Sequence, residues 1–188
     1  MSIPGHAALW GVLLICLAST ARAAVEPREI FEERTGATFI VVHDPLVFPV
    51  GRVASWNGPM QFISLTALER DHVGNLSQYL VAYAWTEQIS LDKPLTITLD
   101  DRVIHLQPLP VFPPELPDDR TLLAPGKERV PRAAYAATRE LFRAIATSRH
   151  VTLMVGEEGA GREVEHYDLM EGQKALAGLL RHVEGNAP

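Results

Sequence analysis

Gln78-Tyr79-Leu80-Val81-Ala82-Tyr83-Ala84-Trp85-Thr86 decides the fold class of this chain. In an extended strand Tyr79, Val81, Tyr83 and Trp85 share one face, and Leu80, Ala82 and Ala84 share the other. Both faces are apolar, so the strand is predicted to be central and covered on both sides. Its partner is Met60 to Arg70, read as a second strand of the same hairpin. Asp71 to Ser77 between them is turn-forming, with Gly74-Asn75 supplying residues tolerant of positive φ.

Outward from that pair, Leu95, Ile97 and Leu99 alternate with Thr96 and Thr98. Asp100-Asp101 turns the chain and Val103 to Leu109 returns, which predicts a second hairpin. Upstream, Thr38 to Val42 is rich in β-branched residues and reads as a strand. Leu46 to Val50, with Pro45 and Pro49 around it, reads as extended and edge-like. Glu26 to Gly36 is charged and reads as a short helix or an irregular arm, and Gly51 to Pro59 as a loop.

Downstream, Pro108 to Pro131 holds seven of the 14 prolines. That density excludes a regular helix or a central strand and predicts an extended crossing segment. Phe112, Leu116, Leu122 and Leu123 predict that it packs on the body. The last third reads as α-β-β-α. Pro131 suits a first helical turn, and Ala134, Ala137, Leu141 and Ile145 fall at helical spacing over Arg132 to Ser148. Val151, Leu153 and Val155 line one face of a strand. Gly156 to Gly161 is a loose loop, and Val164 to Leu169 returns. A final helix is expected over Glu171 to Val183, stopped by Gly185 and Asn186. The expected fold is α+β: six to seven strands in mostly antiparallel hairpins, packed with two late helices. The late hairpin is expected to extend or stack on the first sheet, because alone it would be marginal.

The N-terminus reads as an export signal. Ala7 to Ala18 is a 12-residue uncharged, mostly apolar run, followed by the small-x-small site Ala21-Arg22-Ala23. Such a run rises about 18 Å as a helix, short of a ~30 Å hydrocarbon core. Residues 1–23 are therefore expected to be cleaved, leaving 24–188 as one domain with the crossing segment at 108–131. The mature protein is expected in the periplasm or outside the cell, with no stable membrane insertion.

Removing 23 of the 188 residues leaves 165, enough for one sizeable core. Arg22 is the only charge removed, so the net charge moves from −6 to −7. A net acidic chain with scattered arginines is a poor partner for nucleic acid. Cys16, the sole cysteine, leaves with the signal. That excludes a disulfide, a thiolate zinc site and a cysteine nucleophile in the mature protein.

Few residues carry chemistry. Ser90-Leu91-Asp92-Lys93 matches Ser-x-x-Lys, but Pro94 follows at once and removes the helix that motif requires. Gly156, Gly159 and Gly161 precede a strand rather than a helix, and Glu157 and Glu158 would repel phosphate. Six histidines remain after export: His43, His72, His105, His150, His166 and His182. Of their carboxylate neighbours, only His166-Tyr167-Asp168 places both side chains on one strand face, roughly 7 Å apart. His166 and Asp168, with a distant His72 or His105, are the candidate metal ligands or the candidate base and its orienting group. Against that stands a strand with a solvent-facing polar edge. The aromatic stripe Tyr79, Tyr83 and Trp85 reads as a packed core face rather than a ligand groove. Trp56, in the polar Ser55-Trp56-Asn57-Gly58 loop, is the aromatic candidate for an exposed contact.

The sequence alone thus favours an exported accessory or binding protein without cofactor, which meets an envelope or secreted protein partner through sheet edges and loops. The alternatives are a small His/Asp-dependent hydrolase or metal enzyme, and a small-molecule binder with its pocket between the sheet and the proline-rich segment.

Overall fold

The computed structural model describes residues 26–49, 62–85, 89–117, 122, 130–156, 166–168 (backbone only) and 172–185. The export signal, Cys16, Trp56 and Leu123 lie outside the described residues. Among the described residues, ten strands and two helices make an α+β protein built mostly of antiparallel sheet. In chain order they are β1 (Arg28–Glu32), β2 (Ala37–Val41), β3 (Leu46–Pro49), β4 (Phe62–His72), β5 (Asn75–Ala84), β6 (Leu95–Leu99), β7 (Arg102–Leu106) and β8 (Arg132–Ala137). Helix α1 (Arg139–Thr147), β9 (Val151–Val155), β10 (His166–Asp168) and helix α2 (Gln173–Gly185) follow. Among the described residues no helix is long and apolar enough to cross a membrane.

The first sheet runs β1-β2-β4-β5-β8, with β3 also paired to β4. β2 takes the Leu68–Asp71 part of β4 and β3 takes Phe62–Leu65, so the two lie end to end along one edge of it. The break between them carries Pro45, which has no N–H for a ladder. The second sheet runs β10-β9-β6-β7. The late hairpin therefore extends the β6–β7 hairpin, with Ile97 opposite Leu153, and stacks on the first sheet in a shared core rather than extending it.

β5 is central and covered on both faces. Leu80, Ala82 and Ala84 join β3, β4, the second sheet and both helices in one core. Val81 and Tyr83 join Phe39, Val41, Leu68, Leu116 and Leu122 in a core on the opposite, outer face. The described run 108–117 of the proline-rich segment, with Leu122, lies on that outer face. It begins along β8, where the Leu109 N–H donates to the Ala134 carbonyl at 2.8 Å. The Arg132 guanidinium sits 3.9 Å from the centroid of the Phe112 ring. The segment then reaches the β1–β2 turn, where Arg34 Nη2 donates to the Pro114 carbonyl at 2.6 Å.

Three local expectations are corrected. The Glu26 to Gly36 stretch is neither helix nor irregular arm. It forms edge strand β1 and a turn, because pairing with β2 satisfies its backbone in register from Arg28↔Val41 to Glu32↔Ala37. Arg132 to Ala137 is strand β8 rather than the start of a helix. Its alanines favour helix, but six register pairs with β5 complete that central strand and bury Tyr135. The helix starts only after Thr138, whose Oγ1 accepts the Leu141 N–H at 3.1 Å as an N-cap. Finally, the turn between β4 and β5 is two residues, not seven. His72 pairs with Asn75, and the positive φ angles fall on Val73 (54°) and Gly74 (81°) rather than on Gly74-Asn75.

One glycine is required by close approach. Gly172, at φ +100°, enters α2 so near to β3 that a Cβ would stand 2.6 Å from the Pro45 carbonyl oxygen.

Candidate functional site

The hairpin end of the first sheet carries three exposed large hydrophobics, Phe31, Val73 and Leu76. Two side-chain contacts with the helices define where its cover stops. Glu29, Ile40, Glu69 and Gln78 form one cross-strand row on the helix side of β1, β2, β4 and β5. At the edge of that row Glu29 Oε1 lies 2.8 Å from His182 Nε2 of α2. At its centre Glu69, 2% exposed, accepts two bonds from Arg139 of α1, each at 2.6 Å. Gln78 Nε2 adds a third at 2.9 Å. Both helices are thus tied to this row by charge-assisted bonds.

The next row outward on the same face is Phe31, Thr38, Asp71 and Leu76. It lies one residue pair beyond the anchoring row, about 7 Å further along the strands. Phe31 is 64% exposed and Leu76 49% exposed. Beyond them the tip residue Val73 is 87% exposed. These are three of the five large hydrophobics exposed among the described residues. The tip is held firmly, since Asp71 Oδ1 accepts the Gly74 N–H at 2.8 Å. Val73 is β-branched and sits in the left-handed region at φ 54°, a conformation that costs free energy and persists only where the surroundings impose it.

The sequence-derived candidates are placed as follows. His166 and Asp168 lie on edge strand β10, opposite Met154 and Thr152. Met154 is opposite Thr96, and Thr96 opposite His105. His166 and His105 therefore share a row and a face, but two strands separate them. At ordinary strand spacing their backbones stand about 14 Å apart. His105 Nδ1 lies 2.9 Å from Thr96 Oγ1. His72 belongs to the other sheet, at the tip of the β4–β5 hairpin. Among the described residues no group of three His, Cys, Asp or Glu side chains could hold a metal. His43 and Asp44 form an exposed pair between β2 and β3, 3.2 Å apart. Ser90 to Lys93 is a turn, with the Ser90 hydroxyl donating to the Asp92 carboxylate. The stripe Tyr79, Tyr83 and Trp85 is part of the outer-face core, and Trp85 Nε1 donates to Ser64 Oγ at 3.0 Å.

Sequence reasoning missed Glu69, Arg139 and Tyr135. Glu69 had a signal, an acid at the end of a strand otherwise apolar enough to be buried. Tyr135 is fully buried. Its single hydroxyl proton is shared between the Leu91 and Lys93 carbonyls, at 3.1 and 3.2 Å, pinning that turn onto β8. Burial, helped by the charge of Asp92, holds its phenol well above the usual tyrosine range.

Compared with known protein families, curated proteins and solved structures, the chain matches none.

Proposed function

We propose that the chain is an exported binding protein that meets an envelope or secreted protein partner through the hairpin end of its first sheet. One observation carries this reading. Phe31, Val73 and Leu76 are exposed together at one end of the sheet, beside a row where the Glu69–Arg139 ion pair and the Glu29–His182 contact seat the helices. A stable fold gains nothing by holding a strained, apolar tip in water, whereas a partner that buries it does. The polar positions between them, Thr38 and Asp71, offer the hydrogen bonds that orient a contact.

The test is capture from envelope extract by the immobilised mature protein. A specific partner should be retained by the wild type and lost by a Phe31→Ser, Val73→Asn, Leu76→Ser variant that still unfolds in one cooperative transition. Recovery of nothing above background would overturn the binding reading. Undiminished capture by the variant would remove this surface from it. Export is tested separately: protein recovered from the exporting host should have an intact mass starting at Ala24.

A further inference from the structure

On the outer face of the first sheet, two half-buried arginines each hold a buried Nε without an acceptor. Arg28 on β1 stands opposite Val41, and Arg70 on β4 stands opposite Phe39. Both occupy positions in phase with the outer-face core residues of β2. The register puts them two strands and two residues apart, about 12 Å between Cα atoms. The β2 residues between them, Phe39 and Val41, are apolar and fully buried in the outer-face core. The Nε of each guanidinium is buried and has no hydrogen-bond partner.

No acidic side chain among the described residues neutralises either one. Glu32, on the same face of β1, is paired with Arg34 at 3.7 Å. Arg34 also takes the Pro114 carbonyl of the crossing segment. Arginine cannot shed its proton to escape this situation. Buried donors of this kind are satisfied in native proteins by a water or an ion outside the chain. A water would fill one donor and leave two like charges on one face. A single oxyanion between them satisfies the donors and the charges together, with the planar fork that guanidinium presents to carboxylate and phosphate.

We infer that Arg28 and Arg70 form a binding site for a small oxyanion, a carboxylate or phosphate group, on the sheet face crossed by the proline-rich segment. The site is independent of the partner surface proposed above, which uses the hairpin end. Its failure and the failure of that reading are therefore separate outcomes.

Thermal melts of the full mature protein in chloride buffer at constant ionic strength test the site, with inorganic phosphate or citrate as the added anion. Wild-type protein should melt higher as either anion is added, by about 5 °C once the free anion exceeds its Kd roughly 100-fold. The larger response separates phosphate from carboxylate as the preferred group. Arg28→Met with Arg70→Met keeps the apolar stems and removes the donors, and should abolish the shift. If that pair fails to fold, Arg28→Lys with Arg70→Lys keeps both charges and loses the forks. Its Kd by calorimetric titration should be at least 10-fold weaker. A wild-type melt indifferent to both anions would overturn the site, and so would a methionine or lysine pair that binds as the wild type does.

Discussion

The Glu69 carboxylate on β4 and the Arg139 guanidinium at the start of α1 meet fork to fork, with Nε on Oε2 and Nη2 on Oε1 at 2.6 Å each. The contact joins residues 70 positions apart and fixes the helix layer to the sheet at its centre. Glu69 also holds the Arg139 pKa above its ordinary value through the same hydrogen bond. Arg139→Met should destabilise by about 3–5 kcal/mol, because it leaves a buried carboxylate without its counter-charge. Glu69→Leu with Arg139→Met should recover much of that loss, since a well-packed apolar pair often replaces a buried ion pair at little cost. Denaturant melts of the three variants check both expectations. A double variant as unstable as the single one would show that the bonds, rather than the orphaned charge, dominate.

Val73→Asn should stabilise the protein by about 1 kcal/mol. The residue is 87% exposed, so little packing is lost. Asn tolerates the left-handed region, and Asn-Gly is the favoured pair for a two-residue hairpin turn. A fall in the melting temperature would show that Val73 makes a contact in the free protein that its exposure does not suggest.

Tyr83→Ala should cost about 3–5 kcal/mol, as for other large aromatic truncations in cores. Tyr83 is fully buried on the outer face of β5. A loss under about 1 kcal/mol would contradict burial of the central strand from both sides.

Tyr135 gives the fold an alkaline limit. Its phenol is held neutral to higher pH in the folded state than in the unfolded chain. A folded pKa above the unfolded one means that the unfolded chain loses this proton first. The contribution of Tyr135 to stability is thus complete below about pH 10, the ordinary tyrosine pKa, and falls as pH rises beyond it. Tyr135→Phe should flatten that alkaline decline. It should also cost about 1–3 kcal/mol at neutral pH, because two carbonyls lose their donor. Denaturant melts at neutral and alkaline pH measure both effects.

Leu116→Ala tests the crossing segment. Leu116 is 5% exposed and packs in the outer-face core. Its truncation should destabilise by about 2–5 kcal/mol. It should also speed limited proteolysis within 108–131 relative to the wild type, if the segment is held down by that core. An unchanged cleavage rate would show that the segment does not depend on this anchor.

The sequence by itself determined what depends on neighbours a few residues apart. Alternation in Tyr79 to Trp85 gave a central strand with two apolar faces. The Leu95–Leu99 pattern with Asp100-Asp101 gave the second hairpin, and the Leu176, Leu179, Leu180, Val183 stripe gave the last helix. Only the tertiary structure decided the rest. Arg28–Glu32 and Arg132–Ala137 became strands because β2 and β5 offered unfilled backbone partners, a demand that local propensity does not register. Glu69 and Arg139, like Phe31 and Leu76, are unremarkable residues in sequence. They became an anchor and an exposed surface because strand register set them in adjacent rows, and register joins residues that no short-range pattern connects.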